Sequence, residues 1–158
     1  VTTIAFKDGW IAADSRVTVD SEGGGARKFK CEKLYRKIVG EGDQRREVII
    51  GTSGESSPSL LFVDWYGSGE AVPDQLIYGS ADFTCLIVES DGIYEADAYC
   101  RPEKIVEPFY AIGSGSKAAL AAMHCGKSAA EAVEIACRID PYSAPPIVVM
   151  RLNDSGDA

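Results

Sequence analysis

Thr2 and Thr3 stand at the head of the chain, which contains only one histidine, His124. A single imidazole leaves a serine–histidine pair or a histidine-rich metal site almost nothing to be built from. Any proton transfer must therefore use another base. A threonine hydroxyl is a poor nucleophile unless such a base lies within hydrogen-bond reach. A free α-amino group titrates near about 7.7–8.0, so a useful fraction is unprotonated at neutral pH. When threonine is the first residue, hydroxyl and amine belong to the same residue and no histidine is required. The expected chemistry is amide-bond hydrolysis by the Thr2 hydroxyl, with the amine of Thr2 as base once Val1 has been removed. With Val1 in place that nitrogen is acylated and cannot accept a proton.

Other patterns in the chain suggest chemistry less strongly. Gly113-Ser-Gly-Ser-Lys-Ala118 has the outline of a phosphate loop. It lies late in the chain, is followed by two helical segments rather than a βαβ unit, and lacks the Walker pattern, so nucleotide binding is not expected. Ser114 and Lys117 match a serine–lysine spacing, but the companion motifs of that chemistry are missing. Cys31, Cys85, Cys100, Cys125 and Cys137 give an odd count with no metal-type spacing. They read as reduced structural thiols of a cytoplasmic protein. No metal or cofactor is expected.

The elements that must position these residues belong to a chain of 158 residues, read as one domain over 1–158. An apolar content of 46% is enough for a real core, and a net charge of −8 argues against a nucleic-acid partner. No run reaches the roughly 18 to 20 apolar residues of a membrane span, and no signal-peptide layout is present.

Residues 3–7 and 10–13 read as strands around an Asp8-Gly9 hairpin turn. Residues 16–27 read as a glycine-rich loop, 33–39 as a short strand, 41–46 as a polar turn and 48–50 as a buried strand. Ser56-Ser57-Pro58 opens a helix, with serine as cap. Residues 67–80 read as mostly loop. Residues 83–88 and 93–96 form a second hairpin, and 109–112 a further strand. Two alanine-rich helices follow over 116–124 and 128–139, with Gly126 between them, and a last strand covers 147–150. Hairpins combined with grouped helices predict an α+β layered sandwich.

Thr2-Thr3-Ile4, the Asp8-Gly9 turn and Ala13-Asp14 resemble the start of proteasome-type β-subunits, especially the bacterial HslV peptidase, within the N-terminal nucleophile (Ntn) hydrolases. The likeness continues in order through the chain. Lys30, four residues before Leu34-Tyr35, aligns with the family's catalytic lysine. Gly51-Thr-Ser-Gly54 aligns with the turn that opens the substrate cleft. Ala111-Ile-Gly-Ser-Gly115 aligns with the segment carrying an active-site serine, and Asp140-Pro-Tyr-Ser143 with an Asp-x-x-Ser element.

The resemblance implies a four-layer αββα sandwich and a threonine peptidase. Thr2 would be nucleophile and base, Lys30 a charge beside the hydroxyl, and Asp14 its partner. Gly54 would be the oxyanion donor, and Ser114, Asp140 and Ser143 the polar surroundings of the amine. Val17, Lys28 and Thr52 would line the first substrate pocket. It also implies identical subunits in a ring, peptides or unfolded protein as substrate, and an ATP-driven unfoldase as a candidate partner. A ring-forming homologue without activity and a small-molecule amidase are the alternative readings.

Overall fold

Successive side chains of a strand point to opposite faces, and here the two faces carry side chains of different size. In the computed structural model, which describes residues 2–154, β1 (Ile4–Lys7) and β2 (Trp10–Ala13) form a hairpin across Asp8 and Gly9. Both turn residues have positive φ, 52° and 82°, as a tight two-residue hairpin turn requires. β3 (Arg16–Ser21) and β4 (Gly25–Lys30) form a second hairpin. β5 (Leu34–Val39) and β6 (Arg46–Gly54) precede α1 (Ser56–Trp65) and the short α2 (Asp74–Tyr78). β7 (Phe83–Glu89), β8 (Gly92–Asp97), β9 (Glu103–Ile105) and β10 (Phe109–Ile112) follow. The helix pair α3 (Ser116–His124) and α4 (Ala129–Ile139) and the strand β11 (Val148–Met150) complete the order.

One antiparallel sheet has the strand order β10-β1-β2-β11, and a second has β5-β6-β7-β8-β9. Ile4, Ile11 and Ala13 of the first sheet meet Leu34, Ile49 and Leu86 of the second. These form the core between the sheets. The alternate residues Ala5, Ala12 and Ala111 face away from it and pack against Ala119, Ala122, Ala132, Val133 and Ala136 of α3 and α4. On the outer face of the second sheet, Val48, Ile50, Cys85 and Ile87 pack against Phe62 and Val63 of α1 and Leu76 of α2. The layers therefore run helix, sheet, sheet, helix, the expected αββα sandwich. The two helical layers differ in how they fill space. Alanine on both sides of the α3–α4 contact permits close approach to the sheet, whereas α1 fills its side with the Phe62 ring, stacked on Tyr66 and tilted against Trp65 and Phe83.

Two local expectations need correction, and the short elements α2 and β9 add to the expected order. Residues 16–27, read as a loop, belong to the β3–β4 hairpin, whose glycines Gly23 and Gly24 take the positive φ of its turn. The stretch 67–80 contains α2, and β9 extends the second sheet at its edge. Glu55 rather than a serine is the N-cap residue of α1, with no side-chain cap bond, and Ser56 is already helical. The cap of α4 is complete. Ser128 accepts from the Glu131 N–H while Glu131 reaches back to the Ser128 N–H, a reciprocal capping box. Among the described residues no helix is long and apolar enough to cross a membrane.

The alanine layer leaves no room for larger side chains. Ala132, fully buried in α4, is expected to lose about 1–3 kcal/mol of stability when replaced by leucine, since extra methylenes force neighbours off their rotamers. Chemical denaturation of Ala132→Leu against the parent chain measures it.

Candidate active site

The centre of the site is the carboxylate of Asp14, which follows β2 and is 1% exposed. Its Oδ1 accepts hydrogen bonds from Thr2 Oγ1 at 3.3 Å, the Thr3 N–H at 2.9 Å and Lys33 Nζ at 2.8 Å. Its Oδ2 accepts from the N–H groups of Arg16 and Ala144, both at 3.0 Å. A carboxylate shut off from water needs such donors, because desolvation penalises an ion whose lone pairs go unmet. Asp14 thereby joins the start of β1, the corner into β3, the segment before β5 and the residues ahead of β11.

The lysine in this cluster is Lys33 and not Lys30. Lys33 is buried, donates to the Arg16 carbonyl at 2.5 Å and forms the ion pair with Asp14. Burial pulls its pKa below the ordinary lysine value, and the hydrogen bond and charge of Asp14 oppose that shift without cancelling it. Lys30 ends β4, is exposed and lies opposite Arg16 in the hairpin register. The pairing of β3 with β4 carries residues 25–30 along the exposed hairpin, and the chain returns to the interior only just before β5. A charged residue immediately ahead of the buried Leu34 was the available signal for Lys33.

Ser114, Asp140 and Ser143 come together as expected. The Thr2 N–H donates to Ser114 Oγ at 3.1 Å, and the Ser114 hydroxyl donates to Asp140 Oδ2 at 2.6 Å. Ser143 donates to the same oxygen at 2.6 Å. Thr3, to which the sequence reading gave no role in the site, is fully buried, and its hydroxyl lies 2.7 Å from Ser143 Oγ. Since the Ser143 proton is directed to Asp140, Thr3 is the donor in that contact. Burial by itself would raise the Asp140 carboxyl, but the hydrogen bonds from Ser114, Ser143 and the Tyr142 N–H bring it below its ordinary value.

Two glycines make this approach sterically possible. A Cβ on Gly113, which has φ of +93°, would lie 2.1 Å from the Thr2 carbonyl oxygen. A Cβ on Gly115 would lie 1.9 Å from the Thr3 hydroxyl. The Gly115 N–H donates to the Thr2 carbonyl at 3.2 Å, so the segment after β10 clasps the start of β1 by its backbone.

Thr2 opens onto a cleft of about 530 Å³ whose lining includes Lys33, Gly54, Val17 and Thr52. Gly54 ends β6 with φ of +99°, where a Cβ would meet the Asp82 carbonyl oxygen at 2.5 Å. Lys28 lies on β4 opposite Thr18, is exposed, and is not among the lining residues, so the structure does not bring it into the pocket with Val17 and Thr52. The exposed Cys31 also lines the cleft. Among the described residues no group of three or more histidine, cysteine, aspartate or glutamate side chains is placed to hold a metal ion. Val1, whose removal the sequence reading requires, lies outside the described residues.

Solved structures share this arrangement of layers. Eukaryotic HslV from Trypanosoma brucei matches with a TM-score of 0.62 at 18% identity, over 94% of this chain and 97% of that one. BPH from Thiobacillus denitrificans in complex with epoxomicin matches with a TM-score of 0.60 at 24% identity, over 96% and 98%. Anbu (ancestral beta-subunit) from Yersinia bercovieri matches with a TM-score of 0.66 at 11% identity, over 96% and 82%. The chain thus has the HslV- and proteasome-like Ntn-hydrolase fold. No family model matches the chain, and no curated protein matches it by sequence.

The two lysines should respond very differently to changes around them. Asp14→Ala leaves Lys33 buried without its counter-ion and is expected to destabilise by about 3–5 kcal/mol. Lys30→Ala on the exposed hairpin should change stability by less than about 0.5 kcal/mol. Denaturant titration of both variants makes the comparison. The lowered pKa of Asp140 also sets an acid dependence. Its contribution is complete above the unfolded value of 3.8 and is lost as pH falls through the lower folded value. Asp140→Asn should therefore flatten the stability–pH curve below about pH 4, measured as melting temperature against pH.

Proposed function

We propose that this chain is one peptidase domain of the threonine type, with Thr2 as nucleophile in the form that begins at that residue. The observation that carries the reading is the convergence of the Thr2 hydroxyl and the Lys33 ammonium on one buried oxygen of Asp14, at the floor of an open cleft. The likeness in fold to HslV, and to BPH in complex with epoxomicin, supports it.

In the proposed reaction Thr2 Oγ1 attacks the substrate carbonyl and its proton passes to the free α-amine of the same residue. Lys33 supplies positive charge beside the developing alkoxide, and burial makes it readier to exchange a proton than a surface lysine. Asp14 keeps Lys33 and the threonine backbone in register through charge-assisted hydrogen bonds. Ser114 accepts from the Thr2 nitrogen and is itself oriented by Asp140, so the amine is held with its lone pair free to work. Gly54 offers its backbone N–H to the tetrahedral oxyanion, a contact worth about 3 kcal/mol in related chemistry. The amine then protonates the leaving nitrogen, and water hydrolyses the ester left on Thr2.

Removal of Val1 is part of the proposal, because an amide nitrogen at Thr2 has no basic lone pair. A ring of identical subunits, peptide or unfolded-protein substrates, a cytoplasmic setting and an ATP-driven unfoldase partner belong to the same reading by analogy with the fold. A purely structural homologue has no need of the Asp14–Lys33 pair in that position. A buried ion pair is often no more stabilising than apolar residues of the same volume, so its presence beside a hydroxyl favours chemistry.

Turnover of fluorogenic peptide amides is the test. Thr2→Ala and Lys33→Ala should each lower kcat/KM by at least about a hundredfold, since each removes a group acting on the reacting atoms. Lys30→Ala should retain activity within about twofold, as expected for an exposed side chain away from the cluster. The active protein should have the mass of a chain starting at Thr2, and an epoxyketone should add covalently there. Retention of Val1 in active protein, or full activity in Lys33→Ala, would overturn the proposal.

A further inference from the structure

The cleft beside Thr2 carries a charge imbalance that the proposed chemistry does not use. Asp20, Glu32, Glu55 and Asp82 all contribute to its lining, where Lys33 is the only basic side chain among the described residues. Lys33 is already paired with Asp14 beneath the floor. Among the described residues, none of the four acids enters an ion pair of its own.

The acids are distributed over the walls of the cleft. Asp20 stands on β3, and Glu32 lies just ahead of Lys33, its carbonyl accepting from the Tyr35 hydroxyl at 2.8 Å. Glu55 and Asp82 hold each other at the mouth beside Gly54. The Glu55 N–H donates to the Asp82 carbonyl, and the Asp82 N–H donates to Glu55 Oε1, both at 2.9 Å. That clamp positions one carboxylate where the chain passes from β6 into α1. The Tyr35 phenol, also in the lining, is raised above its usual pKa first by burial and then by Cys31 and Glu32. Between the acids the lining mixes the apolar side chains of Val17, Val19 and Leu60 with the hydroxyl residues Thr18, Thr52, Ser56 and Ser59.

A trough that combines apolar patches with carboxylates suits a side chain that has a hydrocarbon stem and a cationic head. A cleft of one charge sign with low-dielectric walls also concentrates field and raises the local concentration of the opposite charge. We infer that the cleft selects peptides with lysine or arginine at the residue seated beside Thr2, with Asp20, Glu32, Glu55 and Asp82 as the specificity-determining groups. The inference deepens the peptidase reading and rests on it for the identity of the substrate, while selection itself is a property of the cleft.

Binding separates the two claims. In the Thr2→Ala chain, short fluorescein-labelled peptides that differ only in arginine, leucine or glutamate at one position are titrated by fluorescence anisotropy. The arginine peptide should bind roughly tenfold tighter than the glutamate peptide at low salt, with the gap closing as salt screens the partly exposed charges. Asp20→Asn combined with Glu32→Gln should narrow the same gap, with an unchanged melting curve showing that the fold persists. If the three peptides bind alike, if none binds, or if the preference survives both salt and charge removal, the inference is overturned. Matching fluorogenic amides with the parent chain give the second arm. A binding preference without any turnover overturns the peptidase reading and leaves the selection intact, whereas turnover without preference does the reverse.

Discussion

A carboxylate and an ammonium are held together in the interior by the ion pair of Asp14 and Lys33, with side chains 0% and 6% exposed. Removing such groups from water costs several kcal/mol each, and they persist only where every lone pair and proton finds a partner. Asp14 meets that demand with five donors drawn from separate stretches of the chain. Asp14 follows the first sheet and Lys33 precedes the second, so the pair pins the two sheets at the end where the cleft opens. The position of Thr2 is one consequence of that constraint, because the backbone beyond it is tied to the same carboxylate.

The layers on either side transmit this constraint differently. Alanines at the interface of the first sheet with α3 and α4 bring β1 close to the helices, and Asp140 caps the end of α4 where Ser114 and Ser143 can reach it. The Thr2 side of the cleft is therefore built on small side chains and short polar contacts. The opposite wall, at the end of β6 and the start of α1, rests on the bulkier Phe62 layer. Gly54 and Glu55 belong to that wall, and Thr2 to the first.

Most of the layer order was legible in the sequence because strand alternation and turn residues are local signals. Asp8-Gly9, the alternating Ile4-Ala5 and Ile11-Ala12 pattern, and the alanine spacing of α3 and α4 each point to their own environment. The hairpin of β3 and β4 was not legible. Its strands are largely exposed, the only apolar alternation is the short Val17 and Val19 pair, and its glycines suggested a loop. Missing that hairpin displaced the lysine assignment, because the position of Lys33 directly ahead of the buried Leu34 is a weak signal until the turn and register between residues 16 and 30 are known. The role of Thr3 was missed for another reason. Its role depends on Ser143, 140 residues away, and no local pattern reports such a contact. The Thr2, Asp14, Ser114, Asp140 and Ser143 grouping could be anticipated only through family resemblance, since those residues are scattered along the chain.

The backbone clasp at Gly113 and Gly115 bears on how this molecule can diverge. Any side chain at either position collides with the strand it holds, so drift there meets a wall regardless of which codon changes. The acids at the rim of the cleft are exposed, and since the Glu55 carboxylate holds the Asp82 N–H, Asp20 and Glu32 are the freer of them to change. Lineages descending from this sequence can thus vary at the exposed rim while the buried contacts beneath it stay fixed, so change would accumulate much faster at the mouth of the cleft than around Asp14.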